Sequence, residues 1–215
     1  MRDRASGAED VAGVTAQLGR PVRGVTRVAH RCTCGLPDVV ETAPRLDDGT
    51  PFPTTYYLTC PRAASAIGTL EASGVMREMS ERLAGDAELA AAHRRAHEDY
   101  LRRRSALGDV PEIAGVSAGG MPDRVKCLHV LVAHALAAGP GVNLLGDEAL
   151  AALPAWGAAG PCIVLDGAQV SGADPDSGTG TSTGDGPGTG NGTGDGPGAG
   201  RGNGTGDDTG SEVVR

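Results

Sequence analysis

The sequence lacks an excess of positive charge, an apolar N-terminal segment and a long hydrophobic run. Its formal net charge is −8, so neither a nucleic-acid footprint nor a membrane-binding patch is implied. The first residues, MRDRASGAEDVAG, contain no apolar stretch of the kind found in signal peptides. The longest apolar run, CLHVLVAHALAA, holds two histidines and is too short to span a bilayer. We therefore expect a cytoplasmic protein that binds neither nucleic acid nor membranes.

The C-terminal residues 173–215 lack the apolar side chains from which a folded core is built. They contain fifteen glycines, no aromatic residue and few aliphatic ones. Such a segment cannot bury enough apolar surface to offset the conformational entropy that is lost on ordering. We predict a single globular domain over residues 1–171 and a disordered, low-complexity tail over residues 172–215.

The spacing of apolar residues predicts an α+β fold. Period-two patterns in VTRVAHRC, DVVET and TTYYLTC predict three short strands, which we expect to form an antiparallel ribbon. The predicted helices cover residues 7–18, a segment from Pro61, Met76 to Leu83, Asp86 to about Leu107, Pro122 to Ala138, and a short segment after that. The predicted architecture is a small three-stranded antiparallel ribbon packed on a mainly helical domain.

The stretch HRCTCGLP, residues 30–37, places two cysteines one residue apart before a glycine turn. Cysteines stay reduced in the cytoplasm, so ligand, nucleophile or buried-thiol roles are favoured over disulfides. Converging strand ends can bring Cys32, Cys34 and Cys60 together, and Cys127 on the apolar helix is the natural fourth ligand. We predict that these four thiolates hold zinc or an iron–sulfur cluster. The alternative is that the cysteines are small buried apolar side chains.

The segment GVSAGGMPDRVK, residues 115–126, contains a glycine turn that leads into the predicted apolar helix. The backbone N–H groups at the start of a helix bind anions readily. Lys126 is the one lysine among nineteen basic residues, which indicates a need for a compact, titratable cation. We predict that Gly119, Gly120, Arg124 and Lys126 bind a phosphorylated or otherwise anionic small molecule. The alternative is a loop that only caps the helix.

The remaining histidines are weaker candidates for ligands. His93 and His97 are four residues apart on a predicted helix, a spacing that is able to bind zinc. The order H-x-x-x-H-E lacks the glutamate placement of the H-E-x-x-H metalloprotease motif, so we interpret His93 as a core-edge residue. His129 and His134 lie on the apolar helix, where we expect core or supporting roles.

Four segments of the chain resemble one bacterial family. They are LGRPVRGVTRVAHRCTCGLPDVVETAPRLDDGTPFPTTYYLTCPR, VMREMSERL, AHEDYL and IAGVSAGGMPDRVKCLHVLVAHALAAGPGVNLLGDEAL. Together they resemble the family known as domain of unknown function five hundred and one, over about residues 15–152. This resemblance implies no activity and no assigned site. Cys162 and the tail lie outside it.

Three functions remain open from the sequence. The first is a metal-binding domain built on the four cysteines, and the second is an enzyme acting on an anionic small molecule. In the enzyme, Cys127 or a metal-bound water would supply the nucleophile or base, and Lys126 would raise the thiolate fraction of its neighbour. The third is an adaptor whose acidic tail reaches a protein partner.

Overall fold

The computed structural model describes residues 7–164, which form three strands and six helices. The strands are β1 (Val25–Arg31), β2 (Pro37–Thr42) and β3 (Tyr56–Leu58). The helices are α1 (Ala8–Leu18), α2 (Pro61–Ala72), α3 (Val75–Gly85), α4 (Ala87–Ser105), α5 (Leu128–Ala138) and α6 (Leu144–Ala152), with a 3₁₀ turn at Pro111–Ile113. The predicted tail, residues 172–215, lies outside the described residues.

The three strands form one antiparallel sheet with β2 in the centre. Val40 of β2 lies opposite Val28 of β1 and Tyr57 of β3. Every residue of β2 is buried, because a strand lies on each side of it and both α1 and α5 contact it. The predicted α+β architecture, a three-stranded antiparallel ribbon on a mainly helical domain, is confirmed.

Helix α5 is the centre of the helical part and contacts all three strands, α2 and α6. Leu131 and Val132 in its middle are fully buried. Helix α6 crosses α5 closely at Gly146, where an added Cβ would lie 2.3 Å from the carbonyl oxygen of Leu131. Only glycine permits this approach of the two backbones. Among residues 7–164, no helix is both long and apolar enough to cross a membrane.

His134, in the middle of α5, is a fully buried polar residue with partners on both ring nitrogens. Its Nε2 lies 3.1 Å from Oδ2 of Asp99, and its Nδ1 lies 3.3 Å from Nδ2 of Asn143. Because an amide NH₂ group only donates, Nδ1 accepts from Asn143 and Nε2–H donates to Asp99. The ring stacks on Tyr56 with centroids 5.8 Å apart. His134 is therefore a core group, as predicted.

The predicted helix over residues 122–138 is wrong at its start, because α5 begins only at Leu128. The preceding segment folds back on itself: the N–H of Lys126 donates to the carbonyl of Gly119, and that of Arg124 donates to Gly120. Gly120 has φ +94°, and a Cβ there would lie 2.7 Å from the carbonyl oxygen of Arg124. The glycines thus close a compact loop instead of opening a helix.

Candidate metal centre and adjoining cavity

The first turn of α5 is capped by a carboxylate from another helix. Cys127 occupies the position before the helix in an extended conformation, and its own side chain makes no capping hydrogen bond. Instead, Oε1 of Glu71, near the end of α2, accepts the N–H of Leu128 at 2.6 Å. A negative group at this end of a helix is favoured by the helix dipole. The contact fixes the carboxylate of Glu71 beside Cys127 and His129.

His129 points from the first turn of α5 into the contact between α5 and α2. Its Nε2 lies 3.2 Å from the carbonyl oxygen of Ala64, and its Nδ1 lies 3.2 Å from Oε1 of Glu71. A carbonyl oxygen only accepts, so Nε2 carries a hydrogen. In neutral imidazole, Nδ1 then has a lone pair facing a carboxylate oxygen, which is an arrangement of two acceptors. A cation must separate them, either a proton on Nδ1 or a metal ion.

The raised pKa of His129 also indicates that a positive charge is favoured at this position. The hydrogen-bonding contact with the Cys127 thiol raises the pKa of His129, burial opposes it, and the Glu71 carboxylate raises it further, to about 9. In the absence of a metal, the imidazole is therefore protonated at neutral pH. A metal ion that displaced this proton would occupy the same position between the three side chains.

Glu71, Cys127 and His129 form a group with the donor set of a metal site. One carboxylate oxygen, one sulfur and one ring nitrogen all lie within 4.8 Å of one another, and each residue is partly buried. In the part of the chain that the structure describes, no other three His, Cys, Asp or Glu residues meet this condition. Zinc is commonly bound by these three donor types.

A cavity of about 750 Å³ adjoins this group. Its lining comprises Ser117, Gly119, Gly120, Met121, Asp123, Arg124, Lys126 and Cys127. The four residues predicted to bind an anion therefore line one cavity, together with the cysteine at the metal group. Two cations face one carboxylate there, so the lining carries a net positive charge. Cys127 and His129 also border a second cavity of about 530 Å³, next to Pro61 and Ala64.

The cavity does not present the helix N-terminus that the sequence-based prediction of an anion site assumed. The first free N–H of α5, that of Leu128, is already occupied by Glu71. The Gly119–Gly120 turn closes the loop before the helix, so it does not present a helix N-terminus to the cavity. Side-chain charges of Arg124 and Lys126, both exposed, are what the cavity offers to an anion.

The four predicted thiolate ligands do not assemble as one group. Cys127 lies with Glu71 and His129, and in residues 7–164 no three cysteine sulfurs lie within 4.8 Å of one another. The Cys32 and Cys34 thiols are in hydrogen-bonding contact, and the Cys60 thiol contacts that of Cys162. Cys162 was not among the four predicted ligands, because Cys127 was predicted to be the fourth.

His93 and His97 lie on α4 and reach the loop before α5 without joining a group of three ligands. Nδ1 of His97 is 3.0 Å from the hydroxyl of Ser117. His93 is buried, and burial lowers its pKa. The interpretation of His93 as a core-edge residue agrees with this burial.

Two members of the metal group were missed by sequence reasoning. The sequence predicts a core or supporting role for His129, which lies on the apolar helix, although the pair C-x-H was visible. Glu71 gave no local signal, since it approaches Cys127 only through the packing of α2 on α5. A ligand that comes from a distant helix, such as Glu71, is therefore recognised only once the tertiary structure is known.

Comparison with known proteins identifies one family. No curated protein and no solved structure matches the chain. The model of the family described as "Protein of unknown function (DUF501)" matches residues 28–151, from the middle of β1 through most of α6, and therefore includes Glu71, Cys127, His129 and the cavity. The chain belongs to the DUF501 family.

Proposed function

We propose that this protein binds a divalent transition-metal ion, zinc in the first place, through Glu71, Cys127 and His129, and that the metal acts on an anionic small molecule. The observation that carries the proposal is the convergence of these three side chains, one of which, Cys127, also lines the cavity of Arg124 and Lys126. The ligand set differs from the four thiolates predicted from sequence, with Cys127 common to both.

The number and type of ligands favour a reactive site over a closed structural one. Catalytic zinc has three protein ligands and an open fourth position for water or substrate, whereas structural zinc has four. The hydrogen bond from Nε2 of His129 to the carbonyl of Ala64 is the usual support for a metal-binding imidazole, because it leaves Nδ1 free to coordinate. Zinc at this position would lower the pKa of a bound water toward neutrality.

The charge of the cavity favours an anionic ligand. Arg124 offers a planar guanidinium that pairs with two oxygens of a phosphate or carboxylate at once, and Lys126 adds a compact charge. Both residues are exposed and thus available without displacement of the core. Phosphorylated small molecules are the substrate class that these groups fit best.

A second candidate is an enzyme with Cys127 as its nucleophile. The Cys127 thiol contacts His129, as a nucleophile contacts its base, and the carbonyl of Ala64 orients the imidazole through Nε2. The two candidates exclude each other at Cys127, because a metal-bound thiolate is protected from alkylation and a nucleophile is selectively alkylated.

Metal analysis of the full chain, purified without a histidine tag and under reducing conditions, tests the proposal. We expect His129→Gln and Cys127→Ser each to lose one zinc equivalent, and His97→Gln, a histidine on α4 that lies outside the group, to lose none. Wild-type protein that carries no zinc, takes up none on addition and is rapidly alkylated at Cys127 would favour the nucleophile instead.

A further inference from the structure

A second group of cysteines, outside the proposed centre, gathers where three separate segments meet. Cys32 and Cys34 lie on the turn after β1, Cys60 lies directly before α2, and Cys162 lies beyond α6. Their contacts form a continuous series: Cys32 with Cys34, Cys34 with the backbone of Cys162, and Cys162 with Cys60.

The turn holds the first two thiols in a fixed geometry. The N–H of Cys32 donates to Leu36 at 3.0 Å, the N–H of Gly35 donates to Cys32 at 2.9 Å, and Gly35 has φ +88°. The Leu36 N–H, the Cys32 thiol and the Cys162 N–H all face the Cys34 sulfur. The Cys34 sulfur is therefore surrounded by donors, as a metal-bound thiolate is.

Cys60 lies at the N-terminus of α2, where backbone N–H groups are free. Its thiol is fully buried and faces the N–H groups of Ala63 and Arg62. These donors and the absence of solvent suit a thiolate that is neutralised by a metal cation.

The segment around residues 157–162 has no regular secondary structure, yet it is fastened across these thiols. Arg62 donates to the carbonyl of Gly160 at 2.8 Å. Gln17 donates from the same amide nitrogen to Pro37, at 2.7 Å, and to the Cys162 sulfur, at 3.3 Å. At Gly157, an added Cβ would lie 2.5 Å from the sulfur of Cys32. The segment thus lies directly against Cys32, while Cys34 and Cys162 stay partly exposed.

We infer that Cys32, Cys34, Cys60 and Cys162 form a closed, structural four-thiolate zinc centre that joins the β1 turn, the start of α2 and the segment after α6. Cys162 takes the position that the sequence assigned to Cys127. In this structure the four sulfurs lie in series and do not form a tetrahedron. Zinc, with Zn–S bonds of about 2.3 Å, would draw them to about 3.8 Å from one another. Each thiol releases its proton on binding.

This inference is independent of the proposed function, because no residue is shared between the two groups. The first group mixes oxygen, nitrogen and sulfur donors beside a cavity, and the second consists of sulfur alone under a covering segment. Loss of one metal therefore leaves the other in place.

Zinc content and cysteine alkylation of the full, untagged chain test the inference. We expect Cys162→Ser to lose one zinc equivalent, and Cys127→Ser to keep that equivalent while it loses the one at Glu71 and His129. In the wild type, mass spectrometry after alkylation should show Cys32, Cys34, Cys60 and Cys162 protected, and a strong chelator should expose all four together.

Three results would overturn the inference. The first is full zinc retention in Cys162→Ser. The second is alkylation of the four cysteines at unequal rates that do not change with chelator. The third is iron with visible absorbance in protein purified without oxygen, which would replace zinc by an iron–sulfur cluster. Because the alkylation experiment uses wild-type protein, it remains decisive if Cys162→Ser does not fold.

Discussion

The two cysteine-bearing regions of this protein differ in their donor atoms and in how the chain closes over them. At the start of α5, Cys127 is the one thiol, it is partly buried, and it borders two cavities. Beside the β1 turn, the thiols of Cys32, Cys34, Cys60 and Cys162 lie in series. Gln17 and Arg62 fasten the segment that carries Cys162. The first arrangement mixes donor types beside two cavities, whereas the second consists of thiols alone, with one smaller cavity of about 320 Å³ beside Cys32.

On the two proposals above, the four-thiol region serves stability and the region at the start of α5 serves chemistry. A closed thiolate centre ties distant segments together, so its metal contributes to folding free energy. An open centre contributes less to stability, because its surroundings are already held by the packing of α5 on α2. Loss of the metal should therefore lower the free energy of unfolding strongly in the four-thiol region and only slightly at the start of α5.

The largest effect is expected for Cys34→Ser. Serine keeps the volume but removes a soft thiolate, so the closed centre loses its metal and the segment after α6 loses its attachment. Structural zinc contributes on the order of 10 kcal/mol in zinc-finger peptides, and we expect a loss of several kcal/mol in the free energy of unfolding here. Denaturant unfolding at fixed zinc concentration measures it. The matched variant Cys127→Ser should lose about 2 kcal/mol or less; equal losses in both would remove the distinction.

A smaller effect is expected for Gly157→Ala. The added methyl group would lie 2.2 Å from the Thr33 hydroxyl oxygen and 2.5 Å from the Cys32 sulfur, so either the segment or the thiol must move. We expect a loss of about 1–3 kcal/mol, typical of overpacking, with weaker zinc retention. Gly68→Ala in α2 is the control, since nothing lies within 4 Å of its added Cβ. An unchanged melting temperature in Gly157→Ala would show that the segment does not press on the thiols.

Next in size is a pH dependence of the metal-free protein at His129. Its pKa is raised to about 9 in the folded state, so its protonated form contributes stability that is fully present below the unfolded value of 6.5. That stability is lost as the pH rises from 6.5 through about 9. Solvent screening at this partly exposed side chain limits the effect to roughly 1 kcal/mol. Denaturation midpoints measured across this pH window, with chelator present, in the wild type and in His129→Gln show the effect. The same dependence of the midpoint on pH in both proteins would contradict the raised pKa of His129.

The smallest effect on stability is expected for Arg124→Ala. Its side chain is exposed at the cavity, so the free energy of unfolding should change by less than about 0.5 kcal/mol. The affinity for inorganic phosphate or a phosphorylated ligand should fall about tenfold or more, because a charge-assisted pair is lost. Isothermal titration calorimetry measures this affinity. Arg77→Ala, an exposed arginine on α3, is the control. Equal affinity for phosphate in the Arg124→Ala and Arg77→Ala variants would show that the cavity does not bind the anion through Arg124.

Local patterns in the sequence predicted those parts of the fold that depend on local chemistry. Alternation of side chains indicated β1, β2 and β3, and Asp86 caps α4 by accepting the N–H groups of Glu88 and Leu89. The start of α5 was misplaced, because an apolar, helix-like run gives no sign that residues 119–126 close on themselves through backbone hydrogen bonds.

The site was predictable only where its residues are neighbours in the chain. Gly119, Gly120, Arg124 and Lys126 share one cavity because they share one loop. Glu71 and Cys162 come from distant segments, and their placement follows from packing that no spacing rule describes. The thiols were recognised as ligands by type, but their partners required the fold.

The most direct test of the account is the release of zinc from the full wild-type chain by a chelator. We predict about two zinc ions per chain and two phases. One ion should leave rapidly with no loss of folded structure, and the second should leave slowly together with exposure of Cys32, Cys34, Cys60 and Cys162 to alkylation. A protein that holds no zinc after purification under reducing conditions, or that releases all of it in one phase, would contradict the assignment of an open and a closed centre.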